Sequence, residues 1–275
     1  MVFIIQGRQC MSDSDKSDKP LSLGRRKGIY LLPNLFTSAS LFAGFYAIVA
    51  AMSHQFDRAA IAIFIALICD GLDGRVARLI NAQSAFGAQY DSLSDMLSFG
   101  VTPALVLYNW SLLTLSQHGL GKIGWLTSFL YVACVALRLA KFNTQVESAL
   151  PAAKRYFFGL PCPAGAAFVA SSVWFGNTWH LGGLWLSWLT VLVSIAVSLL
   201  MVSNVRYRSF KDIDLKASVR FTKVIVMVVV LICIAWRPNL MLFLIFAGYI
   251  LSGPVFGLFR LHQKRQPKRR GAANK

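Results

Sequence analysis

Four aspartates lie close together in a chain that is otherwise poor in acid. Asp70 and Asp73 are three residues apart, and Asp91 and Asp95 are four apart. Both spacings place the two side chains of a pair on one face of a helix. The chain contains only 11 Asp and Glu residues in all, so this concentration indicates a site that uses carboxylates.

Metal binding is the chemistry that such carboxylates favour. If the helices that carry the two pairs are antiparallel neighbours joined near residues 81–85, four anions meet at one end of a helical bundle. Their repulsion requires positive charge between them, and hard divalent cations prefer oxygen ligands. Magnesium in particular binds through a few carboxylates together with substrate phosphates. The pattern therefore predicts a metal site for a pyrophosphate-bearing substrate.

The neighbouring residues suit a phosphate-bearing ligand. Gly74 and Gly87 leave room for a ligand to approach the helix backbone, and Arg78 presents a planar group suited to phosphate oxygens. Two other interpretations stay open. One is a buried ion pair between Asp73 and Arg75 or Arg78. The other is an ion or proton pathway, although pathways distribute carboxylates through the depth of a bundle and these gather at one end.

The elements that must position this site are membrane-spanning helices. The chain has 275 residues, 56% of them hydrophobic, and its mean hydropathy is +0.57. Its long apolar segments lack the polar face of a helix in a soluble protein. We predict an all-α polytopic membrane protein with about eight transmembrane helices and both termini in the cytoplasm. The predicted spans cover residues 34–53, 58–80, 86–112, 122–146, 161–178, 182–202, 219–236 and 239–258.

The basic residues indicate the orientation of the helices. Lys and Arg number 28, and the net charge is +17. With both termini inside, only Arg58, Lys122 and Arg237 fall in outer connections, which leaves 28 minus 3, or 25, basic residues on the cytoplasmic side. The basic clusters flank apolar segments, which favours anionic lipid as the partner and not nucleic acid. The five scattered cysteines form no CxxC pair and predict small core residues, not a zinc or disulfide framework.

Three regions follow from this pattern. Residues 1–28 form a flexible polar N-terminal head, residues 29–258 a transmembrane catalytic bundle, and residues 259–275 a basic cytoplasmic tail. The first ten residues lack the basic start and the long apolar core of a signal peptide. The stretch MSDSDKSDKP reads like a natural start, so Met11 is a candidate initiator that N-terminal sequencing would test.

The order of residues around the aspartates resembles the signature of the CDP-alcohol phosphatidyltransferases. Every fixed position of that signature is filled, over about a tenth of the chain. The resemblance implies that a phosphatidyl group passes from a CDP-linked lipid to an alcohol, with release of CMP. The matching residues are Asp70, Asp73, Gly74, Ala77, Arg78, Gly87, Asp91 and Asp95.

The same resemblance implies roles for individual residues. Two divalent cations, Mg²⁺ or Mn²⁺, would be held by Asp70, Asp73, Asp91 and Asp95. Asp95 would also take the proton from the acceptor hydroxyl, while the cations neutralise charge on the pyrophosphate. The CDP portion of the lipid would be bound by Gly74, Ala77, Arg78, Ser84 and Gly87.

Segments outside the signature indicate the acceptor alcohol. PNLFTSASLFAGF at residues 33–45, LRLAKFN at 137–143, FFGLPCPAGAA at 157–167 and MVSNVRYRSFK at 201–211 resemble the phosphatidylserine synthase branch of the family. The stretch FGAQYDSLSDMLSFGVTPA around the signature does so too. The resemblance implies CDP-diacylglycerol and L-serine as substrates and a homodimer as the assembly. It also implies a bacterial inner (plasma) membrane protein with its active site at the cytoplasmic face.

Residues at the inner end of the fourth predicted span are candidates for binding the acceptor. Arg138, Lys141 and Asn143 could reach the cytoplasmic pocket, where a cation would bind the serine carboxylate or a lipid phosphate. Basic residues that only set topology are the alternative. Two further hypotheses stay open: a different acceptor, namely glycerol 3-phosphate, inositol phosphate or choline, and a cation-coupled transporter that uses the aspartates as its ion site.

Overall fold

The computed structural model describes residues 31–80, 84–148, 157–203, 205–207 and 221–265. Within these ranges the chain is helical apart from loops and two strands of two residues each. Strand β1 (Phe157–Phe158) pairs antiparallel with β2 (Arg206–Tyr207). The predicted head at residues 1–28 and the end of the predicted tail, residues 266–275, lie outside the described residues.

The helices follow the predicted spans closely. Each predicted span coincides with one helix or with one continuous run of helical segments, although the last helix continues to Arg265. In chain order, the α-helices of the described ranges are α1 (Leu31–Met52), α2 (Phe56–Leu79), α3 (Ala85–Asp95), α4 (Thr102–Leu107), α5 (Thr114–Gln117), α6 (Gly121–Ser148), α7 (Cys162–Thr178), α8 (Leu184–Val202), α9 (Phe221–Trp236) and α10 (Pro238–Arg265).

Four helices in the described part of the chain are long and apolar enough to cross a membrane: Pro33–Met52, Gly121–Thr144, Leu184–Val202 and Pro238–Val255. The prediction of an all-helical protein with membrane-spanning helices is confirmed in this form. Helix α7 has 17 residues and α9 has 16, and α2 carries several charged residues. The count of eight spans and the cytoplasmic termini stay predictions.

The third predicted span is a run of segments and not one uniform helix. Helix α3 passes directly into a π-helical segment, Met96–Val101, and then into α4. A second π-helical segment, Tyr108–Leu112, precedes the short α5. π-Helical turns insert extra residues into a helix and shift the face that its later side chains occupy. The apolar sequence alone predicts a continuous helix here and does not reveal these shifts.

A ladder of hydroxyl groups joins this run to α1. Ser94 Oγ donates to the Thr37 carbonyl at 3.2 Å, and Ser98 Oγ donates to the Ser40 carbonyl at 3.1 Å. Thr102 Oγ1 donates to the carbonyl of Gly44 at 3.1 Å. All three donors are buried. Hydrogen bonds between helices and small residues at the contact are typical of helix packing in membranes, so the ladder fixes the start of the run against α1.

The centre of the bundle is built from alanines. Helix α2 packs against α1 on one side and against α7 on the other. Small side chains let these helix backbones approach closely, so the helix that carries Asp70 and Asp73 is held from two sides. The fully buried alanines of these three helices are Ala47, Ala51, Ala59, Ala60, Ala66, Ala166 and Ala170.

Candidate active site

The carboxylate cluster forms where the last turns of α2 face α3. Asp70, from α2, and Asp91 and Asp95, from α3, each offer one oxygen, and these three oxygens lie within 4.8 Å of one another. The carboxyl groups of Asp70 and Asp95 are in hydrogen-bonding contact. All three side chains are half-buried. The predicted convergence of the two helices is therefore present in the structure.

The cluster fits a divalent cation. Asp91 Oδ1 is buried and has no hydrogen-bond partner, and a desolvated anionic oxygen without a partner is costly. Three carboxylates at this separation also repel one another. A cation among them would supply the missing partner and offset the repulsion, and carboxylate oxygens are the ligands that hard cations prefer. The residues can therefore hold a divalent metal ion.

Asp73 lies beside this cluster and is held by α1. Its Oδ2 accepts a hydrogen bond of 2.8 Å from Thr37 Oγ1, and its side chain is only 5% exposed. It is not one of the three residues whose oxygens converge, but its charge acts on all three of them. The described residues show no ion pair between Asp73 and Arg75 or Arg78, both of which are exposed.

Sequence reasoning did not single out Thr37. The available signal was a row of polar residues, Asn34, Thr37 and Ser38, at helical spacing in the otherwise apolar α1. Ser38 Oγ and the hydroxyl of Tyr90, in α3, lie 2.9 Å apart. The polar face of α1 thus supports both helices that carry the aspartates.

Part of the predicted CDP-binding set lies on the open side of α2. Gly74 and Arg78 are exposed, and Ala77 is half-buried. A Cβ atom built on Gly74 would meet no heavy atom within 4 Å, so internal packing does not explain a glycine at this position. The free space beside Gly74 is what close approach of a ligand to the helix would require.

The other two residues of that set begin α3. Ser84 is the N-cap of the helix, and its Oγ accepts a hydrogen bond of 3.0 Å from the Gly87 amide. A Cβ atom on Gly87 would lie 3.1 Å from Ser84 Oγ and 3.5 Å from Asn34 Oδ1. Capping alone favours a serine at this position, and the contact with the cap favours a small residue at position 87.

The three residues predicted to bind the acceptor lie on α6, and two of them contact elements of the site. Asn143 Nδ2 donates to Ser92 Oγ at 3.1 Å, next to Asp91. Arg138 Nη1 donates to Cys162 Sγ at 3.2 Å, and its Nε is buried without a hydrogen-bond partner. The side chain of Lys141 is exposed.

Cys162 is the partner of Arg138 in the described part of the chain. The thiol is fully buried at the start of α7, as the prediction of small core cysteines requires. The charge of Asp95 also acts on this thiol. The partnership with Arg138 joins residues 24 positions apart, and nothing in the local sequence signals it.

The N-terminal end of α2 borders a polar depression and not a carboxylate cluster. Asn177 Nδ2 donates to Asp57 Oδ1 at 2.9 Å, beside a polar depression of about 370 Å³ lined by residues 54–58 and Asn177. Among the described residues, the only cluster of three potential metal ligands is the one at Asp70, Asp91 and Asp95. The depression is larger than a metal site requires, but it lacks a comparable set of ligands.

Comparison with known proteins gives a consistent result. A family model described as CDP-alcohol phosphatidyltransferase matches residues 30–200. The chain is 37% identical over 234 residues to a Helicobacter pylori protein, covering 84% of this chain and 92% of that protein. It is 37% identical over 238 residues to a Mycobacterium tuberculosis protein, with 83% and 79% covered. A Bacillus subtilis protein is 33% identical over 181 residues, with 66% and 91% covered. All three carry the name CDP-diacylglycerol–serine O-phosphatidyltransferase.

Proposed function

The chain belongs to the CDP-alcohol phosphatidyltransferase family, and from this premise we propose that it is a CDP-diacylglycerol–serine O-phosphatidyltransferase. It transfers the phosphatidyl group of CDP-diacylglycerol to the hydroxyl of L-serine and yields phosphatidylserine and CMP. The names of its relatives supply the two substrates. The observation that carries the chemistry is the convergence of three carboxylate oxygens within 4.8 Å.

The proposed cofactor is a pair of divalent cations, Mg²⁺ or Mn²⁺. Its ligands are Asp70, Asp73, Asp91 and Asp95, of which the first, third and fourth form the close cluster. Metal bound there neutralises charge on the pyrophosphate and makes its phosphorus more open to attack. The buried oxygen of Asp91 that lacks a partner supports the presence of such a ligand set.

The remaining steps belong to side chains of the protein. A carboxylate oxygen of Asp95 accepts the proton of the serine hydroxyl. At the same time the hydroxyl oxygen of serine attacks the phosphatidyl phosphorus. The bond from this phosphorus to the oxygen of CMP breaks, and CMP leaves with the electron pair. One bond to phosphorus forms as one breaks, so no covalent enzyme intermediate is needed.

The CDP portion is assigned to the open side of α2 and the start of α3. Gly74 and Ala77 allow the ligand to lie against the helix, and the exposed guanidinium of Arg78 binds phosphate oxygens. Ser84 and Gly87 shape the first turn of α3, where helix N-terminal amides favour anions. The space beside Gly74 supports this assignment.

The acceptor is assigned to the side of α6. Arg138 binds the serine carboxylate, and Asn143 and Lys141 complete the surroundings of the amino acid. The support for Arg138 is its buried Nε without a partner, beside a thiol that is only a weak acceptor. A substrate carboxylate is a stronger partner for a guanidinium.

The proposed topology and oligomeric state follow from the charge distribution and from the family resemblance. Eight helices span a bacterial inner membrane, both termini lie in the cytoplasm, and the active site opens at the cytoplasmic face. The distribution of basic residues supports this orientation. The protein functions as a homodimer, as the family resemblance implies.

The decisive experiment is an assay of the purified protein in detergent with CDP-diacylglycerol, serine, and Mg²⁺ or Mn²⁺. We expect release of CMP that depends on serine and is abolished by EDTA. Glycerol 3-phosphate, inositol phosphate and choline are tested as competing acceptors in the same assay, and preference for any of them would replace serine in the proposal. No acceptor-dependent CMP release, together with metal-dependent uptake in proteoliposomes, would favour a transporter instead.

A further inference from the structure

Asn34 is a polar residue of α1 that lies beside the first turn of α3. Its Oδ1 would lie 3.5 Å from a Cβ atom on Gly87, and its side chain is half-buried. Its backbone carbonyl accepts a hydrogen bond of 2.9 Å from Ser38 Oγ. Within the described part of the chain, however, its carboxamide has no hydrogen-bond partner. A group with two donor hydrogens and an acceptor oxygen can therefore bind a ligand at the junction of α1 and α3.

Asn34 lies one helical turn from the carboxylates of the site. Thr37, three residues later, donates a hydrogen bond of 2.8 Å to Asp73. On α3, Gly87 precedes Asp91, a member of the carboxylate cluster, by four residues. Since one turn of an α-helix rises about 5.4 Å, Asn34 and Gly87 form a layer about that far from the carboxylates.

Gly74 adds α2 to the same layer. It follows Asp70, a member of the cluster, by four residues. In the proposed topology α1 and α3 run away from the cytoplasm and α2 runs towards it, so Asn34, Gly74 and Gly87 all lie on the cytoplasmic side of the carboxylates. The acyl chains of a CDP-lipid stay in the hydrocarbon layer, and its pyrophosphate lies at the metal site. Its cytidine must therefore extend into the layer of these three residues.

The cytosine base needs a partner that both accepts and donates. Its pairing edge places the N4 amino donor beside the N3 acceptor, and a carboxamide offers an acceptor beside a donor, as Asn and Gln do when they bind nucleobases through two hydrogen bonds. The carboxylates of the site only accept, and the guanidinium of Arg78 only donates. Of the three residues of the layer, only Asn34 has a side chain that can pair with the base edge.

We infer that Asn34 is a substrate-binding residue: its carboxamide forms hydrogen bonds with the pairing edge of the cytosine base of the CDP-lipid. This inference rests on the proposed function. It adds α1 to a nucleotide site otherwise assigned to α2 and α3, and it assigns nucleotide affinity, not chemistry, to Asn34. It holds for any acceptor alcohol.

The test is the affinity of purified Asn34→Leu for CMP, measured by calorimetry with Mg²⁺ or Mn²⁺ present. Leucine keeps the approximate size of asparagine and removes its hydrogen bonds. We expect the Kd of CMP to rise about tenfold, in line with the net contribution of one or two neutral hydrogen bonds. Ribose 5-phosphate, which has no base, should bind both proteins equally. In the assay, KM for CDP-diacylglycerol should rise with the Kd of CMP, while KM for serine should not change.

The matched control is Asn109→Leu. Asn109 lies in the second π-helical segment, Tyr108–Leu112, and its amide donates to the Leu105 carbonyl at 2.8 Å. It is far along the same run of segments from Asp91, so the affinity for CMP and both KM values should match those of the unsubstituted protein. Thermal unfolding of each variant shows whether the substitution disturbs the fold.

A second variant separates lost hydrogen bonds from crowding by leucine. Asn34→Ala removes the same hydrogen bonds and is too small to press on Gly87, so it should show the same loss of affinity for CMP. An unchanged Kd of CMP in Asn34→Ala, or an equal loss of affinity for CMP and ribose 5-phosphate in either variant, would overturn the inference. Absence of CMP binding by the unsubstituted protein would instead reject the proposed function.

Discussion

Asp95 has the most direct role in the proposed reaction, and its side chain contacts Asp70 within the carboxylate cluster. We predict that Asp95→Asn, which keeps the shape of the side chain and removes the base, lowers serine-dependent CMP release by about 10²–10⁴-fold. Binding of CDP-diacylglycerol should be largely retained, because three carboxylates remain. Turnover and lipid binding are measured separately on the same preparation.

The matched control for this variant is Asp57→Asn, at the other end of α2. Asp57 accepts a hydrogen bond from Asn177 and lies far from the cluster, so turnover should stay near that of the unsubstituted protein. Turnover that persists in Asp95→Asn would remove Asp95 from the role of base. Equal loss in both variants would point to general damage to the fold and not to loss of the base.

Thr37 offers a second test at the scale of one residue. Its hydroxyl lies 2.8 Å from Asp73 Oδ2 and 3.2 Å from the Pro33 carbonyl. We predict that Thr37→Val raises the Mg²⁺ or Mn²⁺ concentration for half-maximal activity by about tenfold, since partners that orient metal ligands typically contribute 10–100-fold to affinity or activity. The measurement is a metal titration of the assay.

Thr127→Val makes the same chemical change away from the site. The Thr127 hydroxyl donates to the Ile123 carbonyl within α6 at 2.8 Å, so its loss should leave the metal requirement unchanged. If Thr37→Val required no more metal than Thr127→Val, Asp73 would not depend on α1 for its position.

Much of the site could be predicted from residue spacing, and the rest could not. Carboxylates at three- and four-residue spacing share one face of a helix, and with antiparallel neighbouring helices all four were predicted to meet. The structure brings Asp70, Asp91 and Asp95 together and holds Asp73 beside them. The partnerships of Thr37 with Asp73 and of Cys162 with Arg138 join distant segments. They depend on how helices are rotated about their axes, which apolar periodicity does not specify.

At the scale of elements, the hydroxyl ladder between α1 and the run that begins with α3 leads to a prediction about stability. A Cβ atom on Gly44 would lie 2.8 Å from Ser98 Oγ and 3.1 Å from Ser98 Cα. We therefore expect Gly44→Ala to separate the two elements and to lower the free energy of unfolding by about 1–3 kcal/mol, the usual cost of overpacking. Thermal unfolding in detergent measures the change.

Two comparisons make this result interpretable. Gly248→Ala, where a Cβ atom would meet nothing within 4 Å, should be neutral or slightly stabilising, because alanine favours helix over glycine. Adding Ser98→Ala to Gly44→Ala removes the contact with Oγ but not the contact with Cα, so recovery should be partial. If Gly44→Ala and Gly248→Ala had the same unfolding midpoint, the close contact of Gly44 with Ser98 would not contribute to stability.

The elements themselves were more predictable than their internal geometry. The predicted second and fourth spans, 58–80 and 122–146, are close to the observed helices Phe56–Leu79 and Gly121–Ser148. Apolar segments end near the ends of these helices, so the sequence indicates their bounds. The π-helical segments have no such mark. The first of them, Met96–Val101, lies where Ser98 and Thr102 donate hydrogen bonds to α1. The alignment of these groups depends on both helices together.

At the scale of the whole molecule, the prediction concerns orientation. With eight spans, a fluorescent reporter that folds only in the cytoplasm should be active when fused after Lys275 and inactive when the chain is truncated and fused after His118, in the connection before α6. In the predicted orientation only Arg58, Lys122 and Arg237 face outward, which agrees with the excess of basic residues expected on the cytoplasmic side. Activity at both positions, or at neither, would contradict the proposed topology.

The two ends of α2 differ in character. Asp57 and Asp70 are 70 minus 57, or 13, residues apart, which is about 20 Å along a helix, compared with about 30 Å for the hydrocarbon layer. In the proposed topology, Asp57 lies at the outer end of α2 and the carboxylate cluster opens to the cytoplasmic side of the bilayer alone. An enzyme built this way consumes and releases lipid in a single monolayer, so each new molecule must cross to the opposite leaflet by another route, and synthesis alone leaves the two leaflets with different headgroups.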